Sequence, residues 1–128
     1  MSAKSNYLED AVLDHVLGTS ALTSPTVYIS LYTSNPNEDD SGTEVSGSGY
    51  ARISASFNAA SGGTATGPTV AKEFTASGGA WGTVTHFGLH DASTLGNLLY
   101  YGALTASKTI ADGDTLRFDA DSISVTEA

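Results

Sequence analysis

The chain has 128 residues, of which 40 % are hydrophobic and 15 % are charged, so a single domain with one core is expected. The formal net charge of −9 disfavours binding to the phosphates of nucleic acid. No apolar run approaches the roughly 18 residues of a membrane-spanning helix, and the lack of cysteine excludes disulfides and thiolate metal sites. The first ten residues lack the apolar centre of a secretory signal, so cytosolic synthesis is expected.

The first predicted element is an amphipathic helix from Asn6 to Leu17, which ends before Gly18. Asn6 is placed to cap this helix, and Glu9 three residues later would complete an approximate capping box. His15 is predicted to be a packed, hydrogen-bonded histidine rather than a metal ligand. It belongs to a stripe at helical spacing that consists of Leu8, Ala11, Val12, His15 and Val16.

The segment from Thr26 to Thr33 alternates with period two and predicts a strand. One face carries Val27, Ile29 and Leu31, and the other carries Tyr28, Ser30 and Tyr32. Because both faces are partly apolar, we expect the second face to be covered by another element or another subunit.

The longest polar segment, from Ser34 to Gly49, has no hydrophobic period. Its acidic residues are Glu38, Asp39, Asp40 and Glu44. Clustered carboxylates suit Ca²⁺, but these lack the order of the known twelve-residue calcium loop. A solvated loop is therefore favoured over a metal site, and a loop of this length is expected to contact a neighbouring molecule.

Two further strands are predicted from Tyr50 to Phe57 and from Thr69 to Ala76, separated by a loop from Asn58 to Pro68. The first strand has one apolar face, formed by Ala51, Ile53, Ala55 and Phe57. In the second, Val70 and Phe74 are the apolar markers. Gly62 and Gly63 have no Lys-Ser or Lys-Thr pair after them and no following helix, so they form no phosphate-binding loop.

The stretch from Ala80 to Leu104 predicts a hairpin around which the core is organised. Its first strand places Trp81, Thr83, Thr85, Phe87 and Leu89 on one face and Val84, His86, Gly88 and His90 on the other. Turn-forming residues follow from Asp91 to Asn97. The segment from Leu98 to Leu104 is apolar on both faces, as expected of a covered central strand.

Short strands from Thr105 to Ile110, Thr115 to Phe118 and Ile123 to Thr126 complete the pattern. Their turns hold Asp112, Asp114, Asp119 and Asp121. Hydrogen bonds to the local backbone are favoured over a metal cluster for these aspartates.

Together these elements predict a mainly β fold, an antiparallel β-sandwich or barrel with one N-terminal α-helix. The single domain spans residues 1–128, with the helix at 6–17 and the β domain at 26–126. The residues expected to be mostly buried are Trp81, Phe87, Leu89, Leu99, Leu104, Val27, Ile29, Leu31, Ile53 and Phe57.

No set of nucleophile, base and orienting group converges in the sequence. His86 and His90 are four residues apart on a strand, about 13 Å at ~3.3 Å per residue, and so cannot chelate one ion. His90 precedes Asp91, but adjacent strand residues point apart and no G-x-S-x-G motif supplies a nucleophile. Tyr100 and Tyr101 are interpreted as core or rim aromatics. No catalytic residue, cofactor-binding residue, metal ligand or cofactor is therefore predicted.

Four segments in fixed order carry a resemblance to known proteins. They are SNYLEDAVLDHVLG (5–18), TVYISLYTSNP (26–36), GTEVSGSGYAR (42–52) and WGTVTHFGLHDASTLGNLLYYGALTASKTIADGDTLRF (81–118). In this arrangement the sequence resembles a widespread family of small virion proteins of tailed bacteriophages. Members are described as phage tail fibre proteins, and some as head decoration or cement proteins. The resemblance implies a virion structural protein, assembled in the host cytoplasm, with no catalytic residues.

Two functions follow from the resemblance. The first is a capsid decoration protein on the outer head surface, with the major capsid protein as its partner. The alternative is a tail or tail-fibre component that acts in host adsorption, with tail proteins as partners. A compact domain without a long shaft favours the first. Either would be a homo-oligomer, with a trimer expected. A glycan hydrolase would need paired carboxylates in a cleft, whereas these acids lie in turns and loops.

Overall fold

The computed structural model describes residues 2–127, and of Ser2 it describes the backbone alone. Over that range it contains one helix and nine strands. In chain order these are β1 (Ser2–Lys4), α1 (Asn6–Val16), β2 (Tyr28–Tyr32), β3 (Ile53–Ser54), β4 (Thr64–Gly67), β5 (Lys72–Thr75), β6 (Gly82–His90), β7 (Leu98–Ile110), β8 (Thr115–Phe118) and β9 (Ile123–Thr126).

Five strands form an antiparallel sheet in the order β1-β7-β6-β2-β3, with the β6–β7 hairpin near its centre. Two ribbons, β4–β9 and β5–β8, contribute buried side chains to the same core as the sheet. The arrangement is a sandwich and not a closed barrel, so the first of the two predicted architectures is confirmed. The single helix of the described residues lies near the N-terminus, as predicted, but it follows β1, which already belongs to the sheet.

Aromatic contacts join the ribbons to the sheet. Phe118 of β8 meets Phe87 of β6 edge-to-face, with ring centroids 6.2 Å apart, and meets Phe74 at 6.0 Å. Trp81 meets Tyr50 edge-to-face at 5.6 Å. Such pairs each add about 0.5–1.5 kcal/mol beyond the area they bury. Most of the residues predicted to be buried are buried. Four of them are only partly buried: Val27, Ile53, Phe57 and Leu104.

The first strand of the hairpin departs from the predicted alternation. Val84 is fully buried and Thr83 is exposed, the reverse of the predicted faces. Val84 pairs with Lys108 whereas His86 pairs with Ala103. An advance of two residues along β6 is therefore matched by five residues along β7. The three extra residues form a bulge on β7, and the alternation along β6 breaks where the register shifts, between Val84 and His86.

Other element boundaries differ where small residues dominate. The pattern does not predict β1, nor β4, which lies inside the segment from 58 to 68 that reads as a loop. The strand predicted from 50 to 57 is reduced to β3, and Val70 is 65 % exposed rather than part of a strand. The predicted strand from 105 to 110 is continuous with the one before it, as β7.

The N-cap of α1 is Ser5 and not Asn6. The Ser5 hydroxyl accepts a hydrogen bond from the Leu8 N–H at 3.2 Å and donates to the carbonyl of Leu98. The third helical residue is thus Leu8 instead of Glu9, and the predicted capping box is wrong. Ser5 N–H also donates to β7, to the Leu99 carbonyl at 2.9 Å, which fixes where the helix begins. Within residues 2–127, no helix has both the length and the apolar character to cross a membrane.

Candidate functional site

His90 lies at the end of β6 with its side chain fully buried. Its Nδ1 is 2.8 Å from the Ser30 hydroxyl, and its Nε2 is 3.2 Å from the Tyr32 hydroxyl. The Tyr32 hydroxyl donates to Asp40 Oδ1 at 2.6 Å, which leaves the Tyr32 oxygen to accept from Nε2–H. In the neutral ring, Nδ1 then accepts from the Ser30 hydroxyl.

The centre of this histidine network is closed to solvent, and only Asp40 at its edge is exposed. Burial, together with the positive charge of Arg52, lowers the pKa of His90 and favours the neutral ring. Ser30 is also fully buried, and a Cβ added at Gly88 would lie only 2.7 Å from the Ser30 hydroxyl oxygen. A serine, a histidine and a carboxylate meet here as they do in hydrolases. Because a substrate has no space beside the hydroxyl, the network packs the sheet in this conformation.

Asp91, which follows His90 in the sequence, has a different structural role. Asp91 accepts hydrogen bonds from the backbone N–H of Asn97 at 2.7 Å and from its side-chain amide at 3.0 Å. Asp91 thereby closes the turn between β6 and β7. The carboxylate nearest His90 is instead Asp40, whose Oδ2 lies 3.7 Å from Nε2. The sequence could not indicate this partner, which is fifty positions away in an irregular loop.

A second polar cluster joins Glu44, Tyr50 and Arg52. Arg52 donates to both carboxylate oxygens of Glu44 at 2.8 Å, and Tyr50 donates to Glu44 at 2.6 Å. Burial alone would raise the pKa of Glu44, but these hydrogen bonds outweigh it and lower the pKa. Arg52 also donates to the carbonyls of Ala92 and Leu95, at 3.0 and 2.7 Å. It therefore clips the long polar loop to the turn between β6 and β7.

The polar loop at 34–49 is held on its own chain by these contacts, and its Val45 is buried. Tyr32 is only 1 % exposed beneath the loop. The second face of β2 is therefore covered from within the chain, which removes one reason to expect a second subunit there. Within the described part of the chain, no group of three or more His, Asp or Glu side chains is arranged to hold a metal ion.

The aspartates of the later turns are hydrogen-bond acceptors, but only one follows the predicted local pattern. Asp114 accepts from the Ala111 N–H of its own turn at 2.9 Å. The other partners are Gly78 N–H for Asp112, Arg117 for Asp119 and Asn58 for Asp121. Asp112 and Asp121 thus join segments that are distant in sequence, and Asp119 pairs with a side chain two residues away, none of which turn composition predicts.

The remaining histidines do not converge on a site. His15 accepts a hydrogen bond from the Leu22 N–H at 3.0 Å, as predicted, but it is exposed rather than packed. His86 is partly buried, with Nδ1 2.7 Å from the Thr85 hydroxyl, and burial lowers its pKa. Each of the three histidines therefore has its own separate partners.

The outer surface of α1 is the main apolar feature that stays open to solvent. Six large hydrophobic residues are exposed within the described part of the chain, and four belong to α1 or its C-cap. The four are Tyr7 (41 %), Leu13 (56 %), Val16 (70 %) and Leu17 (74 %). Leu13, Val16 and Leu17 follow i, i+3, i+4 spacing and lie together. We call these three residues the helix ridge.

An apolar groove of about 390 Å³ runs beside α1. Leu8 and Val12 line it from the helix, and Val27 and Phe57 line it from the sandwich. Its single charged lining residue is Glu127, which pairs with Lys4 and accepts a hydrogen bond from Tyr100 at 2.7 Å. A surface of this composition can bind by burying apolar area, and its one carboxylate is already engaged by Lys4 and Tyr100.

A comparison with protein families gives one match that spans the structure. The family described as "Podophage GP4 fiber I protein gp80" matches residues 3–126. The chain belongs to this family, which confirms the resemblance to small phage virion proteins and makes it a phage structural protein. No curated protein matches the sequence.

Proposed function

We propose that this fibre I family member is a non-enzymatic subunit of a podophage tail fibre, with a role in attachment to the host. The observation that carries the proposal is the family match over residues 3–126, because it includes the helix, the sheet and both ribbons. The family description names a fibre protein. It therefore supports the fibre alternative better than the capsid decoration function that the sequence favoured.

The architecture suits a short, stiff module within a fibre rather than a shaft. Its one helix within residues 2–127 has 11 residues, and its polar side chains at Asp40, Arg52 and His90 tie loops to the sandwich. A rigid module holds its exposed surfaces in fixed positions. Function would then come from contacts made by those surfaces, with tail proteins as partners.

Self-association is the second part of the proposal. The helix ridge leaves more clustered apolar surface open than isolated surface residues require. A symmetric oligomer, with a trimer as the expected state, would use such a surface several times at once. Several contacts of modest affinity between subunits would then act together as avidity.

Immunogold labelling of intact virions with antibodies against the purified chain tests the location. We expect gold at the tail, and we expect virions that lack the protein to retain DNA on heating but to adsorb poorly to the host. Complementation with the wild-type chain is the control. Label distributed over the head, combined with heat-labile heads and normal adsorption, would instead support capsid decoration.

A further inference from the structure

We propose that copies of this chain join head to tail, with the helix ridge of one copy seated in a groove between β7 and β8 of the next. This β7–β8 groove has a volume of about 260 Å³ and includes Leu104, Ala106, Lys108, Leu116 and Arg117. The inference rests on the proposed function, because it supplies the contact by which fibre subunits would associate.

The helix ridge is a convex apolar element without a partner in its own chain. Leu13, Val16 and Leu17 are each more than half exposed, while Leu8 is the buried residue of the helix. Acidic residues flank the ridge, since Asp10 and Asp14 lie one turn apart on the same helix and are exposed. A complementary surface would therefore be concave, apolar at its floor and positive at its rim.

The β7–β8 groove combines an apolar floor with a cation at its rim, within a lining that is otherwise largely polar. Leu116 is buried and Leu104 partly buried at its apolar floor. Lys108 is exposed, and its ammonium donates to the Thr115 carbonyl at 2.9 Å, which fixes the charge beside β8. Arg117 also lines the groove, but its charge is compensated, because it donates to Asp119 at 2.7 Å and lies 3.5 Å from a Glu73 carboxylate oxygen.

The distribution of the five cations favours this groove over other surfaces. Lys4 pairs with Glu127, and Arg52 is committed to Glu44. Of the other three, Lys72 of β5 lies outside the groove, and Arg117 lines it but is paired with Glu73 and Asp119, so Lys108 is the cation that the groove leaves available. A helix with an acidic flank is therefore attracted to the β7–β8 end of another copy.

The two surfaces share no residue, and the start of α1 and the groove contact different parts of β7. Ser5, the N-cap of the helix, hydrogen-bonds to β7 at Leu98 and Leu99. The groove lies further along the same strand, from near Leu104 to Lys108. One copy can therefore use both surfaces at the same time. Such heterologous contacts close into a ring or continue as a filament, and either outcome suits a fibre.

Charge argues against the alternative pairings. Two helices packed ridge to ridge would bring Asp10 and Asp14 of both copies together. Like charges placed opposite each other weaken that arrangement. The groove beside α1 has no lysine or arginine among its lining residues, and its one charged residue, Glu127, is already paired with Lys4, so no charge there attracts an acidic helix.

A mixing experiment tests the head-to-tail contact. The ridge variant is Leu13→Ser/Leu17→Ser, and the groove variant is Ala106→Glu/Lys108→Glu. We expect the wild-type chain to self-associate in sedimentation velocity and each variant alone to associate at least about tenfold more weakly, as for loss of a central contact. The 1:1 mixture should form a dimer and stop there, because one intact ridge meets one intact groove.

The controls are Val70→Ser/Leu95→Ser, which removes equally exposed apolar residues elsewhere, and Lys72→Glu, which reverses a charge outside the groove. Both should associate like the wild type. A groove variant that also does so, or a mixture that stays monomeric while both variants keep the wild-type circular dichroism spectrum, would overturn the proposal.

A measurement on the wild-type chain alone does not depend on any variant folding. Association between an acidic helix and a basic rim should weaken as salt is raised, whereas ridge-to-ridge pairing of acidic helices should strengthen. A wild-type chain that stays monomeric at every salt concentration would refute the contact. It would leave the fibre assignment standing, because immunogold labelling reports location independently of association.

Discussion

The polar side of the sheet and the outer surface of α1 differ in how completely the chain satisfies its own groups. Around His90 and Arg52, the charged and polar side chains find partners inside the molecule, and no buried side-chain nitrogen or oxygen within residues 2–127 lacks a hydrogen bond. On α1, by contrast, Leu13, Val16 and Leu17 remain open to water. The side chains that carry reactive groups around His90 and Arg52 are thus paired within the chain, whereas the aliphatic side chains of the helix ridge are exposed.

This difference indicates where selection for function acts. A buried polar network with every member paired stabilises one arrangement of its loops. An exposed apolar ridge adds nothing to an isolated subunit and gains free energy only when another surface covers it. We therefore assign stability to the His90 and Arg52 clusters and assembly to the helix ridge, and each assignment can be tested by substitution.

Phe87→Ala should have the largest effect on stability. Phe87 is 6 % exposed and meets Phe118 edge-to-face across the core, so its removal leaves a cavity between the sheet and a ribbon. The expected loss in the free energy of unfolding is about 3–5 kcal/mol, measured by chemical denaturation. Leu95→Ala, at a side chain that is 85 % exposed, is the control and should change little. Equal effects would mean that the core lies elsewhere.

Arg52→Ala tests whether the closed polar side is structural. The substitution leaves the Glu44 carboxylate and the carbonyls of Ala92 and Leu95 without their donor, and the Arg52 side chain is only 8 % exposed. We expect a loss of about 2–4 kcal/mol, mostly from the partners left behind. Arg117→Ala removes an exposed arginine that is also ion-paired and should leave the denaturation midpoint nearly unchanged. A stable Arg52→Ala variant would refute the structural assignment.

The sequence predicts the regular parts of this fold well, because alternation and turn chemistry are local properties. The limits of β8 and β9 agree with prediction, as does the turn that contains Gly113, whose φ of +86° favours glycine. The bulge after Val84 could not be predicted, since it arises from a mismatch in length between two paired strands. β4 consists of small residues and becomes a strand only by pairing with β9.

The site was harder to predict than the fold, for two physical reasons. The partners of His90 and Arg52 come from loops distant in sequence, and no local pattern encodes such pairs. For α1, the predicted core stripe included Val16, which proves 70 % exposed. A usable signal was present, since Leu13 and Leu17 lie outside that stripe and make the apolar arc wider than one buried face requires.

The pH dependence of stability should separate His90 from the other groups. Burial lowers the pKa of His90 in the folded chain, so the unfolded chain binds the proton first as pH falls below the ordinary value of about 6.5. Stability should be complete above that pH and should decline below it, until the folded chain is also protonated.

Urea denaturation of the wild type and of His90→Gln at pH 7.5 and pH 5.5 measures this effect. The variant should lose less stability between the two pH values than the wild type. Some dependence should remain, because burial also lowers the pKa of His86. Leu95→Ala, at a non-titrating side chain that is 85 % exposed, is the control and should keep the wild-type dependence. An unchanged slope in His90→Gln would show that this ring does not couple protonation to folding.

The smallest effect on the stability of an isolated subunit is expected for the ridge variant, Leu13→Ser/Leu17→Ser. Both side chains are mostly exposed, so each replacement should change the free energy of unfolding by less than about 0.5 kcal/mol under dilute conditions. At high concentration the behaviour should diverge, because association stabilises the folded chain by mass action. The wild-type melting temperature should then rise with concentration while that of the variant stays constant. A variant that is already destabilised when dilute would show that the ridge packs within its own chain, and the contrast between the two regions would fail.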